Sequence, residues 1–233
     1  MSLGTVTALR RYPVKSLRGE DLERMEVNAR GPVGDRLWAL VDEDGKLASG
    51  KGTERFRKVP GLLEHASRMD GDVPVLVPAA GDPVRGDAPH VGAAVQSIAG
   101  PGWRLAREDR IPHHDASPIL LVTSATLARL AEDVGSEVES QRLRPNIVVE
   151  VPDSPGFVED GWVGRELAIG GVRLRVAERC ERCVMVNHAQ PGGLDHRPEV
   201  LKQIGRSNEA CAGVYADVVA PGTLRVGASV EAA

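Results

Sequence analysis

Apolar residues in this chain fall into short runs separated by Gly, Pro and Asp, which predicts many strands and few helices. Residues 5–10 form a short mixed segment that Tyr12-Pro13 interrupts. Residues 36–41 are apolar and predict a strand, followed by the hairpin-like turn Asp42-Glu43-Asp44-Gly45. Residues 73–77 predict another strand, and residues 79–93, rich in Gly, Pro and Asp, read as loop. One helical period stands out: Leu127, Leu130, Ala131 and Val134 share a face, Ser124 can cap its start, and Gly135 ends it. Residues 147–151 read as a buried strand, and residues 167–176 as a hairpin turning on Gly170-Gly171. A short helix is expected from Pro198, with Val200, Leu201 and Ile204 on one face. Residues 214–219, a Pro221-Gly222 turn and residues 224–230 predict a closing hairpin. The expected fold class is therefore α+β, predominantly β, with a barrel or barrel-like core and a division near residue 110.

Composition narrows the function. The 233 residues are 42% apolar but only 3% aromatic, so the core is built from Val, Leu, Ala and Ile. A net charge of −4 argues against nucleic acid or an anionic membrane as the main partner, while leaving room for a local basic pocket. No stretch approaches the roughly 20 apolar residues of a membrane-crossing helix, and no signal pattern opens the chain, so a cytoplasmic location is expected. Three cysteines in such a chain do not make a disulfide framework.

Three stretches carry candidate chemistry. Arg179-Cys180-Glu181-Arg182-Cys183 contains a CxxC. It suits half of a zinc site (with Cys211 and His188 or His196), a redox pair, or a single ligand thiolate. Cysteine is also a common small buried residue. The flanking Arg179 and Arg182 favour a reactive or metal-bound thiolate. Tyr12-Pro13-Val14-Lys15-Ser16, with Gly34-Asp35-Arg36 further on, could bring Lys15 and Arg36 together from separate loops as an anion site. Arg142-Leu143-Arg144-Pro145-Asn146 sets a forked cation and an amide beside a rigid proline, suited to a phosphate or a heterocycle edge. Taken singly, each of these charges also reads as ordinary surface.

The ordered set YPVKS, GDR, TSATL, RPNIVV, RCERCV and PGTLRVG resembles the MOSC family, named for the C-terminal domain of molybdenum cofactor sulfurase. Within that family it resembles the amidoxime-reducing components and their bacterial relatives. The likeness runs over residues 5–230. It implies a MOSC N-terminal β-barrel-like domain over residues 4–110, smaller than and packed with a MOSC β-barrel domain over residues 111–231. It implies a molybdenum cofactor (molybdopterin), with Cys183 as the metal ligand and catalytic residue. Lys15, Ser16 and Arg36 match residues that hold the cofactor's phosphate end or pyranopterin, and Arg144 and Asn146 match contacts in the RPN element. Lys51, Ser124 and Arg182 complete the expected cofactor-binding set. A soft thiolate suits molybdenum, and a dianionic phosphate needs cations and amide donors.

The reaction implied is two-electron reduction of small N-hydroxylated or N-oxide substrates, with electrons from a separate protein of the ferredoxin or flavin-reductase type. His188 or His196 could supply the proton. The chain departs from the amidoxime reducers just after Cys183, where residues 184–193 lack their Asp-Pro-x-Thr-Gly stretch. The alternative reading is a sulfur-carrier or cofactor-delivery protein. There Cys183 carries a persulfide, and pyridoxal phosphate enters only through a partner cysteine desulfurase.

Overall fold

The computed structural model describes residues 2–233. The chain opens with β1 (Ser2–Arg11), β2 (Glu20–Leu22), β3 (Arg24–Asn28) and β4 (Gly31–Pro32). It continues through β5 (Trp38–Val41), β6 (Leu47–Ser49), β7 (Phe56–Lys58), β8 (Ala66–Asp70), β9 (Val73–Val77) and β10 (Val84–Arg85). Helix α1 (Val91–Ala99) and β11 (Arg104–Arg107) follow. The second half holds β12 (Ile119–Thr123), α2 (Ser124–Val134), α3 (Ser140–Leu143), β13 (Ile147–Glu150), β14 (Glu166–Ile169), β15 (Val172–Glu181), α4 (Pro198–Asn208), β16 (Cys211–Ala220), β17 (Gly222–Arg225) and β18 (Ser229–Ala232).

The largest sheet runs β13-β12-β16-β15-β14-β18-β1-β2, and β1 also pairs with β13. That extra pairing closes seven strands into a barrel, with β2 attached outside the ring. Period-two alternation fills it: on β15, Val172, Leu174 and Val176 are buried while Arg173 and Arg175 are exposed. Val6, Leu9, Leu121, Ile147, Leu167, Val214 and Val230 join them in one core. Strand β12 is buried at all five residues. Its outer face packs Leu120 and Val122 against Leu130 of α2, Val200 and Ile204 of α4, and Cys180. The N-terminal half adds a four-stranded sheet, β11-β5-β6-β7, and a three-stranded one, β10-β9-β8, around Val14, Leu17, Leu40, Leu76 and α1.

The hairpin on Gly170-Gly171 forms, with β14 antiparallel to β15 and Gly170 at φ 56. The Asp42–Gly45 turn joins β5 to β6. Other expectations need correction. Thr123, not Ser124, caps α2: its side chain accepts from the Thr126 backbone N–H, and Ser124 is already helical. The closing hairpin does not form. Strand β17 leaves β16 to pair with β3, and β18 pairs with β1 and β14. Residues 36 and 37 precede the strand, because Arg36 takes a left-handed conformation at φ 46. The stretch read as loop ends in α1, whose buried Ala94, Val95 and Ile98 fall at helical spacing just beyond it. Among the described residues no helix is long and apolar enough to cross a membrane.

Candidate cofactor site

A cavity of about 400 Å³ lies where the N-terminal loops meet the end of the barrel. That is within the roughly 300–1,000 Å³ usual for small-molecule and cofactor sites. Lys15, Ser16, Arg36, Lys51, Arg144, Asn146, Arg182 and Cys183 all line it. Their sequence positions span residues 15 to 183, so folding alone assembles them.

Backbone conformation sets the first wall. Val14 and Leu17 are fully buried plugs on either side of Lys15 and Ser16. Ser16, Arg36 and Arg144 all have positive φ (67, 46 and 55), a conformation that costs non-glycine residues and gathers at binding sites. Asp35, 2% exposed, ties two loops together: Oδ1 accepts the Tyr12 backbone N–H at 2.7 Å and Oδ2 accepts Arg36 at 2.5 Å. Arg36 also donates to Asn146 Oδ1 at 3.2 Å and to the Arg144 carbonyl at 3.3 Å. Asn146 also accepts from the Leu120 N–H at 3.1 Å and donates to the Arg10 carbonyl at 3.1 Å. It braces the wall more than it reaches into the cavity.

Cations dominate this wall. Arg36 and Arg144 stack on the Tyr12 ring at 4.8 and 4.3 Å from its centroid. Burial pulls Arg144 down to about 10, with Tyr12 opposing and Arg36 adding to the fall. Lys15 pairs with Asp115 at 3.1 Å and lies 4.8 Å from the centre of the Phe56 ring, which Lys51 and Arg55 also approach at 5.3 Å each. Burial lowers Lys15 to about 8 against the pull of Asp115. Burial works against ionisation of Asp115 too, yet Lys15 and Lys51 outweigh it and hold the carboxyl at about 2. Lys51, Arg55 and Arg144 have no carboxylate partner among the described residues, so the cavity is set up to take an anion.

Cys183 is half-buried at the cavity edge, where β15 has ended and a 3₁₀ turn, Val184–Asn187, begins. The arginines beside it in sequence turn elsewhere. Arg182 donates to Cys180 Sγ at 2.8 Å and to the Leu143 carbonyl at 2.6 Å. Arg179 pairs with Asp160 at 3.0 Å and Glu209 at 2.8 Å. Cys180 packs beside Leu120, Val122 and Leu143 outside the barrel interior, and Arg182, just past the end of β15, folds back onto it. Neither arginine hydrogen-bonds Cys183, so the direct support for a thiolate expected from the flanking pair is not seen among the described residues.

Two further corrections follow. Ser124 lies outside the cavity lining, and its Oγ accepts the Val151 backbone N–H at 3.0 Å, a structural bond. His188 and His196 stand 6.3 Å apart, ring to ring, and neither lines the cavity, so neither is placed to move a proton there. Among the described residues no three His, Cys, Asp or Glu side chains converge as a metal-holding group, so the expected mixed zinc set is not brought together. The structure adds Arg55, Phe56, His114, Asp115, Ser117 and Tyr215 to the lining. The His113-His114-Asp115 run was a visible signal for two of them. Nothing local marked Tyr215, whose hydroxyl is pushed up by burial and by Cys180.

Comparison with known proteins fits this geometry. Residues 3–85 match the MOSC N-terminal beta barrel domain, and residues 108–231, more than half of the chain, match the MOSC domain. The chain belongs to the MOSC family. Among MOSC relatives, Mitochondrial amidoxime-reducing component 1 of Homo sapiens is 26% identical across 97% of this chain and 82% of its own length. Mitochondrial amidoxime reducing component 2 of Rattus norvegicus is 27% identical over the same shares. Among solved structures, the YUAD protein from Bacillus subtilis superposes with a TM-score of 0.55 at 14% identity, covering 97% of this chain and 93% of that one. That likeness speaks to the fold alone.

Proposed function

We propose that this MOSC protein binds a molybdenum pterin cofactor in the 400 Å³ cavity and reduces small N-hydroxylated or N-oxide substrates. One observation carries the reading: a half-buried thiol, Cys183, shares a cavity with three cations that lack carboxylate partners, Lys51, Arg55 and Arg144. The residues fit the group. A molybdenum pterin needs one soft protein ligand and a cationic cradle for its phosphate, and both are present. When bound, the cofactor supplies the two-electron chemistry. The chain supplies the rest. Cys183 ligates the metal, and Lys15, Ser16, Arg36, Lys51 and Arg144 seat the anionic end. Arg182 fixes Cys180 behind the ligand loop, and Asp115 keeps Lys15 protonated at neutral pH by its direct ion pair. Half-buried His114 is a titratable group at the cavity wall that can exchange a proton with a bound substrate.

In this reading electrons come from a separate protein, and residues 4–110 and 111–231 act as two units that share the cavity. The named relatives are mitochondrial, whereas a cytoplasmic place is our expectation here; the chemistry of the site, not the compartment, is what carries over. The test is metal analysis of protein made in a host that synthesises the cofactor, followed by reduction of a model amidoxime with an artificial electron donor. Near-stoichiometric molybdenum with turnover, both lost in Cys183→Ala, supports the proposal. Full molybdenum without turnover leaves cofactor delivery or sulfur carriage by Cys183 in its place. A Cys183→Ala variant that keeps its molybdenum refutes the ligand assignment.

A further inference from the structure

A second cavity of about 300 Å³ adjoins the first across Arg144, which lines both. It opens beside the end of β1, β2 and the turn at residues 190–194. Cys183 and Lys15 are not part of it. Gln190 is 8% exposed, and its Nε2 is buried without a hydrogen-bond partner. Two bonds with Leu194, at 2.7 and 3.3 Å, and the left-handed Gly192 and Gly193 (both φ 94) hold Gln190 in a tight turn. Arg18 donates to the Glu64 carbonyl at 3.3 Å, but its Nε is buried and unpartnered, and it makes no ion pair among the described residues.

The carboxylates in this lining are already engaged. Glu20 pairs with Arg11 at 2.8 Å and accepts the Met69 N–H at 2.9 Å, while Asp21 pairs with Arg10 at 2.7 Å. The buried groups left unsatisfied are both donors, Arg18 Nε and Gln190 Nε2, and Arg144 adds a guanidinium with no carboxylate partner among the described residues. Buried donors lose their hydration on folding and recover it only from an acceptor.

We propose that the second cavity binds a small oxyanion of the phosphate class, held by Arg18, Gln190 and Arg144. A guanidinium carries five N–H donors in a planar fork, so Arg144 can serve an anion in each cavity at once. The site stands apart from the cofactor reading and survives its failure.

Calorimetric titration with inorganic phosphate at constant ionic strength tests it on wild type, Arg18→Gln, Gln190→Glu and Lys51→Gln, with circular dichroism to check folding. Saturable binding is expected in wild type and in Lys51→Gln, weakened by about tenfold or more in Arg18→Gln and Gln190→Glu. If wild type binds two phosphates, Arg18→Gln removes one and Lys51→Gln the other. Arg18 is half-buried, so its variant decides the matter even if Gln190→Glu fails to fold. A parallel titration with glycerol 3-phosphate separates the sources: tighter binding than phosphate assigns a phosphorylated metabolite, weaker binding assigns free phosphate. No saturable binding overturns the proposal. So does binding that Lys51→Gln abolishes and Arg18→Gln leaves intact, which places the phosphate in the main cavity.

Discussion

Replacing Lys15 with methionine tests the account of the main cavity at its most costly residue. Lys15 is 4% exposed, and its one carboxylate partner, Asp115, is half in solvent. Burial takes the ammonium from 10.5 to about 8, with Asp115 opposing and Arg36 and Arg55 adding to the fall. At about 1.36 kcal/mol per pH unit, that gap makes the folded, protonated lysine cost about 3 kcal/mol. Methionine fills similar space without the charge and leaves Asp115 free to hydrate. Lys15→Met should therefore raise the unfolding free energy by about 1–3 kcal/mol at pH 7, the lower end allowing for relaxation and the lost contact with Phe56. For a chain of this size that is a Tm rise of about 3–10 °C.

The sign of the pH dependence follows from the same shift. The folded pKa lies below the unfolded one, so between about 8 and 10.5 the unfolded chain holds the extra proton. Wild-type stability from this group thus rises with pH across that window, and the deficit is fully present below it. The advantage of the variant should shrink between pH 7 and pH 10. Urea unfolding followed by tryptophan fluorescence at both pH values measures it. A variant less stable than wild type at pH 7, or an advantage that does not shrink by pH 10, would refute the reasoning. The same substitution should weaken anion binding in the cavity, since a binding site keeps its cation at the expense of stability.

Other perturbations probe the scaffold. Glu159 is fully buried, accepting the Thr123 and Thr126 hydroxyls at 2.6 and 2.7 Å, and burial raises its pKa. Glu159→Ala should cost about 2–4 kcal/mol in urea unfolding. Glu159→Gln should cost far less and gain on wild type as pH rises from 4 to 7, because only the wild type loses stability as this acid ionises. In β1, a Cβ on Gly4 would sit 2.2 Å from the Glu150 carbonyl oxygen, so Gly4→Ala should destabilise by about 2 kcal/mol or more and speed amide exchange along β13. A fragment of residues 111–231 lacks β1, the strand that closes the barrel between β13 and β18, and should show no cooperative thermal unfolding. A sharp calorimetric transition from that fragment would contradict it.

Local order was legible in the sequence because it is set by neighbours. The α2 period, the Gly170-Gly171 turn and the face of α4 bearing Val200 and Ile204 each need only a few consecutive residues. The motif spacing also singled out residues that the fold brings together: seven of the eight expected cofactor-binding residues, and Cys183 beside them, line one cavity, Ser124 being the exception.

What the tertiary structure alone decided was pairing at a distance. Strand β1 closes the barrel against β13, 145 residues away in the pairing of Thr5 with Glu150, and β17 crosses to β3 because the unpaired edge it can satisfy lies there. Charges follow the same rule. Arg182 is next to Cys183 in sequence, yet its guanidinium rests on Cys180 Sγ and on the carbonyl of Leu143, 39 residues away. Lys15 finds Asp115 a hundred residues later, and Arg144 finds no carboxylate at all. Periodicity tells a residue which face it occupies. Only the closed fold tells a buried cation which anion, if any, stands opposite.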